Sequence, residues 1–281
     1  GKTVDEPGCA DEIIGNLADI AFRGYSTQDD VDTLKSFYQV GRDTSGNFNG
    51  GIEMVLQRLL VSPKFIYRIE KEPENIELGE SYKISELDLA SRLSFFLWSS
   101  IPDKELLDLA KADQLSIPEV LDAQVRRMIE DPKSSAMTEN FAGQWLALRN
   151  LDSHVPLVDQ FPDFDNLLRT SFKRETELLV DTLIREDRPV LELLDADFTY
   201  VNERLAMHYG IPGVKGERFR RIQLDGDLAV RRGILGKGSM LTTASQPGRT
   251  SPVVRGYWTL SHIIGVEPPP PHRMFLTCLR Q

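Results

Sequence analysis

The chain predicts a mainly α fold, a multi-helix orthogonal or bundle-like architecture with at most a small strand pair. Three observations lead there. Apolar residues recur at three- and four-residue spacing along most of the chain, Ser, Thr and Pro stand where helices would open, and strand-like runs are scarce, with 218–224 the best short candidate. At 281 residues, 41% hydrophobic and 27% charged, the chain can bury one large core or two ordinary ones.

Taken in order, residues 10–23 place Ile13, Ile14, Leu17, Ala18, Ala21 and Phe22 on one helical face. A second helix opens at Thr27, whose hydroxyl caps a first turn carrying Asp29 and Asp30, and runs through Val31, Leu34, Phe37 and Tyr38. A loop is expected over 41–51, then a third helix over 52–70 interrupted near Ser62 and Pro63. Ser85, with Asp88 three residues on, marks the next start; Pro102 and Pro118 open two more. Helices are expected at 134–149 and 163–187, the latter ending before Pro189. Asn202 caps a short helix that Gly210 stops, and Ser251, followed by Pro252, caps another over 253–264. The aromatics Trp98, Phe141 and Trp145 sit on helical faces and read as core. The expected organisation is an N-terminal helical unit 1–71, a linker 72–83, a central helical domain 84–228, a Gly- and Pro-marked segment 229–271 and a tail 272–281.

Charge and cysteine narrow the function classes. A net charge of −10 argues against nucleic acid, whose phosphates call for a surplus of Lys and Arg. Two cysteines, Cys9 and Cys278 at opposite ends, supply no disulfide framework and no CxxC knuckle. No apolar run approaches the roughly 20 residues of a membrane span, so no transmembrane segment is expected. No signal peptide precedes the globular part, and the start at Gly1 reads as that of a fragment or processed product.

Four residues are candidates for a site. His208 falls in the last turn of the Asn202 helix, where it complements the negative helix end or, as a neutral imidazole, ligates haem iron or a metal. Asp195, Asp197 and Glu203 lie near it in sequence; their place at a helix start favours capping over acid–base work. Arg249 and Arg255, with Thr250 and Ser251 between them, either grip an oxyanion or pair with the chain's own carboxylates. GxSxG, HExxH, GxGxxG, Walker and CxxCH motifs are absent from the sequence.

Four stretches carry a resemblance: VSPKF at 61–65, NFAGQWL at 140–146, ADFTYVNERL at 196–205, and GILGKGSMLTTASQPGRTSPVVRGYWTLSHIIGVEPPPP at 233–271. In this order they resemble the large exported cytochrome-linked proteins of planctomycetes and verrucomicrobia, the PSD/PSCyt domain group, whose domains are largely of unknown function. After Pro271 the sequence departs from that pattern, as a truncated or frame-shifted gene end would. The resemblance implies an exported location, periplasm or cell envelope, and a helical scaffold associated with electron transfer. A haem domain or redox partner protein would be its partner. Lacking CxxCH, this chain binds no haem covalently, and a c-type haem would belong to the full-length protein. His208 and Met240 are then candidate axial ligands, and Arg249 and Arg255 candidate propionate partners; no metal site is expected. A non-catalytic cell-envelope interaction module is the alternative, and a polymer-degradation accessory protein the third reading.

Overall fold

A computed structural model describes residues 6–70, 76–77 and 79–268. Part of the expected 72–83 linker, the last prolines of the 268–271 run, and the 272–281 tail with Cys278 lie outside the described residues. The fold is mainly α, as the spacing predicts, and its strands form two short antiparallel pairs. Internal contacts divide the chain into two units, Gly1–Ser134 and Ser135–Gln281.

In the first unit, α1 (Glu6–Ala21), α2 (Gln28–Ser45) and α3 (Phe48–Leu60) bury Ile14, Ala18, Phe22, Leu34, Val55 and Leu59 against one another. Thr27 caps α2 in a capping box with Asp30. The expected loop over 41–51 is instead mostly helix, because its glycines serve packing. A Cβ on Gly41 would lie 2.3 Å from the Gly50 carbonyl oxygen, and one on Gly51 would lie 2.5 Å from the Tyr38 ring. Pro63 opens the single turn α4 (Pro63–Ile66), whose end is held by Arg23 donating to the carbonyls of Lys64 and Tyr67, both at 2.8 Å.

Ser85 caps α5 (Glu86–Trp98) by accepting the Asp88 N–H at 3.1 Å. The next helix, α6 (Lys104–Lys111), opens after Asp103 and not at Pro102. The reason is the stronger cap: Asp103 accepts the Leu106 N–H at 3.0 Å and is itself held by Arg127 at 2.8 Å. Pro118 opens α7 (Pro118–Glu130) as expected. Trp98 is core, its indole N–H donating to the Met128 carbonyl at 2.9 Å.

The second unit starts where the sequence suggested one helix over 134–149. It holds instead α8 (Ser135–Met137), a π-turn (Thr138–Ala142), α9 (Gly143–Trp145) and a 3₁₀ turn (Leu148–Asp152). A regular helix would fan Ala142, Leu146, Leu148 and Leu151 around its axis; the changes of winding, with Ala147 at φ 55, let all four enter one core. Phe141 is not core: it is 47% exposed and stacks on Trp145 at 5.6 Å.

The central helix α10 (Asn166–Arg185) is capped by Asp165. It packs against α11 (Glu192–Asp195), against β1 (Phe198–Val201), which pairs antiparallel with β2 (Arg220–Gln223), and against α12 (Glu203–Tyr209). After α13 (Gly238–Thr243), the strands β3 (Ser245–Gln246) and β4 (Arg249–Thr250) make a minimal hairpin around Pro247 and Gly248. Ser251 then caps α14 (Pro252–Trp258), which passes into a second π-turn (Thr259–Ile264).

Candidate functional site

Five segments of the second unit surround a cavity of about 530 Å³: the loop around 154–164, the first turns of α10, the end of α12, the end of α13 and the β3–β4 hairpin with the start of α14. The loop is tied to the hairpin by the Leu157 N–H, which donates to the Pro247 carbonyl at 2.9 Å. It is tied to α10 by Arg169, which donates to the His154 carbonyl at 3.0 Å. Arg204 of α12 holds the loop end through Asp165 at 2.8 Å and through the Asp163 carbonyl. Asn202 fixes α12 itself by accepting the Leu205 N–H at 2.9 Å, and its amide donates to Ser171 of α10 at 3.0 Å.

The walls are apolar and aromatic, with Phe161, Phe164, Phe172, Leu168 and Leu241 prominent. Phe172 meets the His208 ring edge-on at 5.3 Å and 70°. Polar groups gather on the hairpin side. Cross-strand pairing sets Arg249 opposite Gln246, and the Arg249 Nε donates to the Gln246 side chain at 2.9 Å. One turn into α14, Arg255 also lines the cavity, and its buried Nε has no acceptor among the described residues.

Both histidines of the cavity favour the neutral form. Desolvation lowers the pKa of His154 and the Arg169 charge adds to it. Desolvation likewise lowers His208, Arg231 and Arg204 add to the shift, and Asp163 opposes it. Near neutral pH the cavity therefore presents two guanidiniums, two uncharged imidazoles and the single carboxylate of Asp163.

Behind the aromatic wall lies a closed polar network. Glu175 of α10 and Lys237 are both fully buried, with Lys237 Nζ 3.8 Å from Glu175 Oε1. Thr199 donates to Glu175 Oε1 at 2.5 Å and Tyr209 donates to Glu175 Oε2 at 2.7 Å. The Tyr209 hydroxyl in turn accepts the Gly238 N–H at 3.0 Å, and Lys237 donates to the Arg231 carbonyl at 3.2 Å. Burial pushes Glu175 up and Lys237 down to about 8, each opposed by the other's charge, and burial holds Tyr209 well above its usual value. This network reaches the cavity through packing. Gly238 has no side chain where the Phe172 ring lies, since a Cβ there would sit 2.1 Å from Phe172 Cε1.

Of the four residues singled out from sequence, His208, Arg249 and Arg255 line this one cavity. Met240 lies elsewhere, buried in the core with Leu146, Leu148 and Trp258, and is not among the lining residues. The two candidate axial ligands, His208 and Met240, are therefore not brought together. Glu203 is engaged locally, accepting the Gly216 N–H at 2.7 Å and the Lys215 ammonium at 2.9 Å. Sequence reasoning did not single out His154, Asp163 or Phe172. Their signal was weak, because the cavity joins loop and helix positions that share no periodicity. Among the described residues, no group of three or more His, Cys, Asp or Glu gathers as a metal site.

Three family models match the chain in succession: PSD5, described as a protein of unknown function (DUF1595), over residues 9–70; PSD4, a protein of unknown function (DUF1592), over 84–211; and PSCyt3, a protein of unknown function (DUF1588), over 231–279. The last match continues past Pro271, against the expected departure from the family pattern there. The chain belongs to this planctomycete cytochrome-associated domain group of unknown function. No curated protein and no solved structure matches it. Among the described residues, no helix is long and apolar enough to cross a membrane. The cavity is lined by residues of the parts matched by PSD4 and PSCyt3, and the buried pair likewise joins Glu175 of the first of these to Lys237 of the second.

Proposed function

We propose that the chain is the ligand-holding helical part of an exported, cytochrome-linked protein, and that its second unit binds an anionic group in the His208, Arg249 and Arg255 cavity. One observation carries this reading. His208 of α12 and, some forty residues on, Arg249 and Arg255 of the hairpin and α14 converge on one apolar-walled cavity. The Arg249 and Arg255 guanidiniums that line the cavity are suited to charge-assisted bonds with an incoming anion. The role is electron-transfer-associated, with a c-type haem carried outside this chain and its propionates, or another acid group, as the anion. The domain names support the cytochrome association, and the paired arginines support the anion.

Equilibrium dialysis against 1-anilinonaphthalene-8-sulfonate tests it. Replacing Arg249 and Arg255 together by Gln should lower binding by roughly tenfold or more, since charge-assisted bonds are worth about 1.5–3 kcal/mol each, with little change in the unfolding midpoint. Binding that is unchanged, or that falls only in step with stability, removes the reading. The cell-envelope interaction module would then lead, its surface being the exposed Val253, Tyr257 and Ile264 of the α14 region.

A further inference from the structure

We infer that the cavity takes a monocarboxylate carried on a flat aromatic body, one molecule per chain; this rests on the reading that the cavity binds an anion.

Charge sets the head group. In a chain of net charge −10, the cavity lining carries two guanidiniums against one carboxylate, Asp163, an excess of one positive charge while the two imidazoles are neutral. Among the described residues, Arg249 donates through its Nε to Gln246 and its terminal nitrogens have no partner, so together with Arg255 they can take a planar carboxylate. No lysine lines the cavity. A phosphate dianion, which needs more positive charge and more donors than this, is the poorer match.

The walls set the body. Phe164 and Phe172 are 6.4 Å apart and tilted by 45°, and the His208 ring abuts Phe172, so successive ring faces and edges border the space. Arg169 lies over the Phe164 ring at 5.4 Å. A planar ring inserted here gains offset and edge contacts with several aromatic partners at once, which an aliphatic chain of equal area does not. At about 530 Å³ the space is in the range that encloses a molecule of two or three rings.

Isothermal titration of the whole chain with naphthalene-2-carboxylate, naphthalene-2-carboxamide, acetate and inorganic phosphate tests the assignment. The aromatic carboxylate should bind with unit stoichiometry and roughly tenfold or more tighter than each of the other three. Arg255→Gln should lower carboxylate affinity by a similar factor while leaving the carboxamide unchanged, and Phe172→Leu should weaken both aromatic titrants together. Should Arg255→Gln fail to fold, Arg249→Gln, exposed on the hairpin, carries the same expectation. Acetate or phosphate binding as tightly as the aromatic carboxylate, with loss of both in the arginine variant, overturns the aromatic assignment and leaves the anion site standing. Equal affinity for carboxamide and carboxylate, or no binding by any titrant, overturns the anion site as well.

Discussion

The two units handle charge in different ways. In the N-terminal unit ion pairs lie at helix surfaces, such as Lys111 with Asp19 at 2.7 Å, and the buried Arg23 spends its donors on backbone carbonyls that close a helix. In the C-terminal unit Glu175 and Lys237 are enclosed entirely, and Arg255 lines a cavity while its buried Nε finds no acceptor among the described residues. Charge in the first unit defines where helices begin and end. Charge in the second shapes a cavity wall from behind and furnishes its mouth, and that difference is why the functional reading falls there.

The largest expected effect concerns the enclosed pair. Lys237→Met leaves Glu175 without its countercharge in a dry site and should cost about 3–5 kcal/mol in denaturant unfolding, whereas Glu175→Gln combined with Lys237→Met should recover much of that loss. A single variant as stable as wild type would show that the pair has water or flexibility that the geometry lacks. By contrast, Lys111→Ala in the first unit breaks a half-exposed pair and should cost under about 1 kcal/mol. Similar losses in both variants would erase the distinction between the units.

Gly238→Ala comes next. Its methyl must displace the Phe172 ring, so a loss of about 1–3 kcal/mol is expected, together with weaker binding of an aromatic anion. A stable variant with unaltered binding would separate the polar network from the cavity. Asn202→Ala removes both the cap of α12 and a bond to Ser171, and should cost about 1 kcal/mol by the same assay.

Acid should act on the second unit through its histidines. Both His154 and His208 have folded-state pKa values below the usual 6.5, so each binds its proton more weakly folded than unfolded. Their contribution to stability is whole above about pH 6.5 and is lost as pH falls from there through the lowered folded values. Replacing both by Gln should flatten that part of the pH profile of the unfolding midpoint. An unchanged slope would place the acid sensitivity elsewhere.

How much of this was legible follows the same division. Thr27, Ser85, Asn202 and Ser251 all cap helices as their sequence context predicts, because capping is decided within three residues. The Arg249–Arg255 loop could be flagged because its guanidiniums, hydroxyls and proline are contiguous. The glycines at 41–51 misled, since local composition cannot tell a loop glycine from one on which another helix rests. Glu175 looked like one more charge on a charged helix, next to Arg174 and near Glu177. Its burial depends on Lys237, Thr199 and Tyr209, partners brought together only by the fold.

The central claim is an anion held among arginines and neutral imidazoles, and the histidines themselves can report it. Proton NMR titration of the His154 and His208 rings, assigned with the His→Gln variants, should show both titrating below pH 6.5 in the free protein. Saturating naphthalene-2-carboxylate should raise both pKa values, because a bound negative charge favours the protonated ring and proton binding must favour the anion by the same factor. Imidazole pKa values that do not move at any carboxylate concentration would contradict the account.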